Sequence, residues 1–265
     1  MMTRPTVVQY VAALLIVLIA VVHLFAESKD DAANSTGTPV LVELFTSEGC
    51  SDCPPADALL ERLDRSQPVA GAQLVVLSEH VDYWNHIGWR DPYSSNAYSE
   101  RQGAYASRFG LSSVYTPQMV VDGKFEFVGS DESRAIAAAE KALQAQKLSI
   151  KLSGAHMESD GVLTLHLDAG RLPSPATWPT NVLLAVADET DETHVTGGEN
   201  GGRTLKHIAV LRSLKVVGSV DQSKGLSKDV QVEVPRRNGS IRLVAFAQDE
   251  KAGTIRGVAS TNFSK

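Results

Sequence analysis

The sequence predicts an α/β domain followed by a small all-β, sandwich-like domain, and three observations carry that prediction. An apolar run of strand length, Pro39 to Phe45, leads straight into a Cys-Ser-Asp-Cys stretch and then into a segment of helical period. A second apolar run, Leu74 to Ser78, follows that helix, and a strand–helix–strand order implies a parallel pair with a right-handed crossover. Beyond Leu148 the apolar spacing changes from about 3.6 residues to about 2, the signature of successive strands.

With 265 residues, 43% hydrophobic and 21% charged, the chain can bury a substantial core. Its formal charge of −6 is spread without a basic patch, which argues against a nucleic-acid partner. Arg4 precedes an apolar run from Val7 to Ala26, followed by polar residues from Glu27 onward. Residues 1–26 therefore read as an export signal cleaved after Ala26, or as a retained N-terminal anchor that would tether the protein to a membrane. Either way the positive-inside rule puts the rest outside the cytoplasm, periplasmic or extracellular. Residues 27–38 read as a linker.

The first domain is expected over 39–147. Pro39 to Phe45 is apolar almost throughout, as in a strand buried on both faces. Pro54 and Pro55 suit a first helical turn, and Ala56, Leu59, Leu60 and Leu63 continue at helical spacing. The aromatic, polar stretch His80 to Tyr93 has no clean period and reads as a functional loop, part of an insertion at about 79–97. Asn96 to Phe109 returns to a helix. Asp122-Gly123 between two apolar runs signals a two-residue hairpin. Ser130, Asp131 and Glu132 open a helix striped by Ile136, Ala139 and Leu143 and ending near Lys147. The second domain, 148–265, alternates at Leu148/Ile150/Leu152, Leu163/Leu165/Leu167, Val182/Leu184/Val186, Val230/Val232/Val234 and Ile241/Leu243/Ala245. Two more strands are expected around Leu205 to Val217 and Thr254 to Ser260.

Cys50 and Cys53 are the chain's only cysteines. Chain entropy gives a disulfide closing so short a loop about 2 kcal/mol, a weak clamp for a large domain. Their place between a strand and a helix suits chemistry better. A helix N-terminus stabilises the attacking Cys50 thiolate, and Cys53, one turn on, can resolve a mixed disulfide. This arrangement resembles a thioredoxin-like active site. The resemblance implies that Thr116-Pro117, directly before a strand, is a cis-proline loop facing the cysteines, with Thr116 binding a substrate backbone. It also implies that Glu43 occupies the strand position of the buried acid that assists proton transfer, although its spacing to Cys50 is one residue longer. Glu48 and Asp52 oppose thiol ionisation, which favours reduction or isomerisation over strong oxidation.

The motifs F-T-S-E-G-C-S-D-C-P-P-A-D at 45–57, H-V-D-Y-W at 80–84, G-W-R-D-P-Y at 88–93, S-V-Y-T-P-Q-M-V-V-D-G at 113–123 and G-E-N-G-G-R-T-L-K-H at 198–207 are together similar to the secreted thioredoxin-like proteins of domain-of-unknown-function family 1223. That resemblance implies export and a thioredoxin-like domain, and supplies no substrate. It gives His80, Asp82 and Trp84 a place beside the site, and suggests that Arg203 and His207 pack against it.

The expected activity is thiol–disulfide exchange without a cofactor, between a protein disulfide substrate and an upstream thiol reductant. Two rivals use the same thiols. Cys50, Cys53, His80 and His86 could carry copper or zinc, since thiolate and imidazole suit both. Alternatively the disulfide is inert and the chain is a binding module.

Overall fold

The computed structural model describes residues 37–158, 161–173, 180–234, 239–250 and 253–264. The predicted signal or anchor, and most of the linker, lie outside the described residues. Among the described residues, eleven strands and three helices run in the order β1 (Thr38–Thr46), α1 (Pro54–Ser66), β2 (Ala72–His80), α2 (Asn96–Phe109), β3 (Gln118–Val121), β4 (Phe125–Val128), α3 (Glu132–Ala142), β5 (Ile150–Met157), β6 (Val162–Ala169), β7 (Thr180–His194), β8 (Thr204–Val220), β9 (Leu226–Glu233), β10 (Ile241–Asp249) and β11 (Ile255–Phe263).

Local chemistry explains the predicted helices. Pro54 and Pro55 start α1, the Ser95 side chain accepts from Ala97 N at the start of α2, and Asp131 accepts from Arg134 N at the start of α3. Gly110, at φ 69°, closes α2. The hairpin loop joining β3 to β4 is Asp122-Gly123-Lys124, with Val121 opposite Phe125, one residue longer than the two expected, and Asp122 and Gly123 stand at positive φ, 51° and 60°. A Cβ at Gly123 would lie 1.9 Å from the Gly253 carbonyl oxygen, so only glycine fits there.

The predicted fold class is wrong. The structure is mostly β, and a single eight-stranded sheet, ordered β11-β10-β7-β8-β2-β1-β3-β4, replaces the expected thioredoxin-like α/β domain with a separate β domain behind it. Four of its strands precede residue 148 and four follow. The join is between β2 and β8, which run parallel with Ser78 opposite Val210. A second sheet, β5-β6-β9, covers one face of the large sheet around β7 and β10.

The physical reason lies in β7, β8 and β10. A separate sandwich needs strands with one wet face, yet Val182 to Ala187, Ile208 to Leu211 and Leu243 to Ala247 are buried at every position. Strands apolar on both faces need cover on both. One face packs Val182, Leu184, Val186 and Leu243 against the small sheet. The other packs Leu183, Ala185, Val244 and Phe246 into the same cluster as Leu41, Leu77 and Tyr98. A continuous core therefore crosses the expected boundary.

Candidate functional site around the Cys50–Cys53 disulfide

β1 delivers the chain at Thr46 to a tight turn, Cys50 N donating to Ser47 O at 3.2 Å and Cys53 N to Cys50 O at 3.2 Å. Cys53 is the N-cap residue of α1, without a side-chain cap, and forms a disulfide with Cys50 across Cα atoms 5.4 Å apart. Both cysteines are buried, at 1% and 0% exposure, while Ser51 and Asp52 between them face solvent.

Pro117 follows a cis peptide bond from Thr116. It sits one glycine away from α1: a Cβ at Gly129 would be 3.0 Å from Pro117 Cβ and 3.2 Å from Ala56 Cβ. Trp84 spans the turn and the proline loop. Its Cβ lies 3.0 Å from the Cβ position of Gly49, and its indole N–H donates to Thr116 Oγ1 at 2.8 Å.

The glycine-rich loop between β7 and β8 folds onto the same turn. Asn200, fully buried, donates from Nδ2 to both Glu48 O and Cys50 O at 2.9 Å, and Ser51 N donates to Glu199 Oε2 at 3.0 Å. Arg203 acts indirectly, donating to Asn200 Oδ1 at 2.7 Å. Strands distant in sequence thus supply a side chain whose amide reads the backbone on either side of Gly49.

Behind the turn is a buried polar cluster. Glu48 accepts from Trp89 Nε1 at 2.8 Å and lies 3.3 Å from His207 Nε2. His207 Nδ1 is 3.8 Å from Asp57 Oδ2, and its ring centroid is 4.7 Å from that of His80. His80 Nδ1 is 2.7 Å from Asp91 Oδ2, which also accepts from Glu48 N, while Asp91 Oδ1 accepts from Tyr93 N. Burial pushes the Asp57 carboxyl above its ordinary range, against the opposing pull of His207 and His80. Burial opposes the His80 imidazolium, but Asp91, with Asp57 and Glu48, outweighs it and raises His80. Burial likewise opposes the Asp91 carboxylate, and His80 together with two backbone N–H groups still holds it below its usual value.

Cys50, Cys53, Thr116, Pro117, Trp84, His80, Arg203 and His207 thus gather around one turn, with Asp52 on its exposed rim. Glu43 does not join them. It alternates with Val42 and Leu44, which face α1, so its carboxylate points through the sheet to α2, accepting from Arg101 and from Tyr105 OH at 2.7 Å. One residue of extra spacing turns a strand side chain to the opposite face. Asp82 binds Ser99 on α2, and His86 is exposed. Among the described residues no three His, Cys, Asp or Glu side chains are arranged to hold a metal, so the Cys50, Cys53, His80 and His86 set is not assembled. A cavity of about 720 Å³ lies on the α2 face, lined by Tyr98, Arg101, Tyr105, Leu183, Leu214 and Gln248, away from the cysteines.

Two residues within the quoted motifs were given no role by the sequence, Asp57 and Asp91. Asp57 was detectable as an acid in the apolar stripe of α1, four residues after Cys53. Asp91 carried no local signal.

A family profile described as "Protein of unknown function (DUF1223)" matches residues 41–248, from β1 to β10. The chain belongs to that family. The matched span takes in both the cysteine turn and the glycine-rich loop that grips it. Among solved structures, a structural-genomics protein from Agrobacterium tumefaciens is 26% identical with a TM-score of 0.63, covering 84% of this chain and 94% of its own. HBP35 of Porphyromonas gingivalis shares the fold at 13% identity and a TM-score of 0.61, covering 86% of this chain and 76% of its own. No curated protein matches the sequence. Among the described residues no helix is long and apolar enough to cross a membrane.

Proposed function

We propose that this DUF1223 member is an exported thiol–disulfide exchange protein working through Cys50 and Cys53, without a cofactor. The observation that carries the reading is the placement of the pair. The disulfide opens α1, where unpaired N–H groups and the helix dipole favour a Cys50 thiolate. Thr116-Pro117 lies beside the first turn of that helix, with Trp84 between it and the cysteine turn. A weak entropic clamp would not call for so many converging elements.

Asp52 on the rim and Glu48 in the cysteine turn bring acidic side chains near the thiols, which opposes ionisation and favours the oxidised form. The pair then reduces or isomerises disulfides on protein partners, and an upstream thiol resupplies its electrons. The apolar N-terminal run supports export, by cleavage or as a tether.

Burial of both sulfurs supports a second reading, a binding module with an inert disulfide. Equilibration of the folded protein against a dithiothreitol redox series separates the two. Exchange predicts reversible reduction with a potential well below that of strongly oxidising disulfide formers. A disulfide that resists millimolar dithiothreitol while the protein stays folded establishes the inert reading.

A further inference from the structure

We infer that Asp57, held by His207 and His80, is the proton donor and acceptor for Cys53 Sγ when the disulfide opens and closes. The inference rests on the exchange reading above and assigns its proton chemistry to residues on three separate elements.

Asp57 stands four residues after Cys53 on α1, its N–H bonded to Cys53 O at 3.1 Å. Side chains at that spacing are neighbours, about 5–6 Å apart at Cβ, and helical side chains lean toward the N-terminus. The carboxyl is therefore directed along the helix face that carries Cys53. The groups facing it are Thr46 at the end of β1, His80 on β2, Asp91 in the following loop and His207 on β8, which itself meets Glu48 of the cysteine turn.

Three atoms of this cluster, Asp57 Oδ1, His207 Nδ1 and His80 Nε2, are buried and make no hydrogen bond to other described residues. Leaving such atoms unpaired costs about 1–3 kcal/mol each, and a redox or catalytic role is one of the reasons a fold retains them. Saturated networks tie each proton to a partner. Here a carboxyl oxygen and two ring nitrogens keep free capacity next to a disulfide. Burial also holds the Asp57 acid form to higher pH than an exposed aspartate would allow.

A thiolate of a dithiol reductant attacks Cys50 Sγ, the Cys50–Cys53 bond breaks, and its electron pair leaves on Cys53 Sγ. The Asp57 carboxylic acid gives that sulfur its proton, and the new carboxylate faces His207 and His80. The second thiolate of the reductant then displaces Cys50 Sγ as a thiolate. The reductant is oxidised to a disulfide, the protein pair takes up two electrons, and Asp57 regains a proton from solvent. In reverse, the Asp57 carboxylate removes the Cys53 proton so that Cys53 can attack a mixed disulfide.

The test follows reduction of the folded full-length chain by dithiothreitol from pH 5 to pH 9. Asp57→Asn should slow reduction by about a hundredfold, the low end for a general acid, and flatten the pH profile. Asp57→Glu should restore much of the rate, and His207→Gln should move the midpoint of the profile. An Asp57→Asn protein reduced at the wild-type rate with the wild-type profile overturns this inference and leaves the exchange reading standing. A wild-type disulfide that does not open overturns both. Carbon-13 NMR of the Asp57 carboxyl in the wild type needs no variant to fold. Linkage requires its titration midpoint to differ between oxidised and reduced protein, and equal midpoints refute the assignment.

Discussion

Asn200→Ala tests whether the β7–β8 loop controls access to the disulfide. The substitution removes two buried hydrogen bonds, to Glu48 O and Cys50 O, and leaves Arg203 without its acceptor. Each bond contributes about 1 kcal/mol net, so the loop is held about 2 kcal/mol less firmly. At about 1.4 kcal/mol per tenfold, lifting the loop becomes roughly 30-fold easier. If the cysteines react only after the loop lifts, the dithiothreitol reduction rate of the folded protein rises by about that factor. The melting temperature should fall by about 4–8 °C, as a loss of 2 kcal/mol does for a domain of this size. Stopped-flow reduction and thermal melts give the two numbers. A lowered melting temperature with a reduction rate within twofold of wild type refutes the reasoning, because the loop would then be a structural brace alone.

Two further substitutions probe the buried charges. Arg101→Met strips the cation from Glu43 and Glu79, both fully buried, and should cost about 3–5 kcal/mol at neutral pH. Burial already holds the Glu79 carboxyl well above its usual 4.5, so the folded state keeps a proton that the unfolded chain gives up, and stability declines as pH rises above that value. Losing Arg101 deepens this, so urea unfolding should show a larger deficit at pH 8 than at pH 5, and equal deficits contradict it. Asp91→Asn breaks the pair with His80. The raised His80 contributes fully below its ordinary 6.5 and the lowered Asp91 fully above its ordinary 3.8, so the pair stabilises most between those values. The variant should lose about 3 kcal/mol at pH 6 and less at pH 9, and a deficit that grows with pH is inconsistent with the pairing.

Much of the local structure is legible in the chain. Pro54-Pro55 starts a helix wherever it lies, Asp122-Gly123 turns a hairpin, and two cysteines at CxxC spacing before that helix form the disulfide. Glu43 and Asp57 show where local reading stops. Both are acids close to the cysteines in sequence, but strand alternation sends one through the sheet to Arg101, while helical spacing keeps the other behind Cys53.

Strands, helices, hairpin turn, cysteine pair and family could be read from the chain alone, because each depends on residues within one element or on ordered motifs. The union of both halves in one sheet emerges from packing, since doubly apolar strands such as β8 can find a partner anywhere that buries both faces. The same pairing of β8 with β2 brings Asn200 to Cys50 and His207 to Glu48 from about 150 residues away, a proximity set by long-range packing that no local pattern encodes.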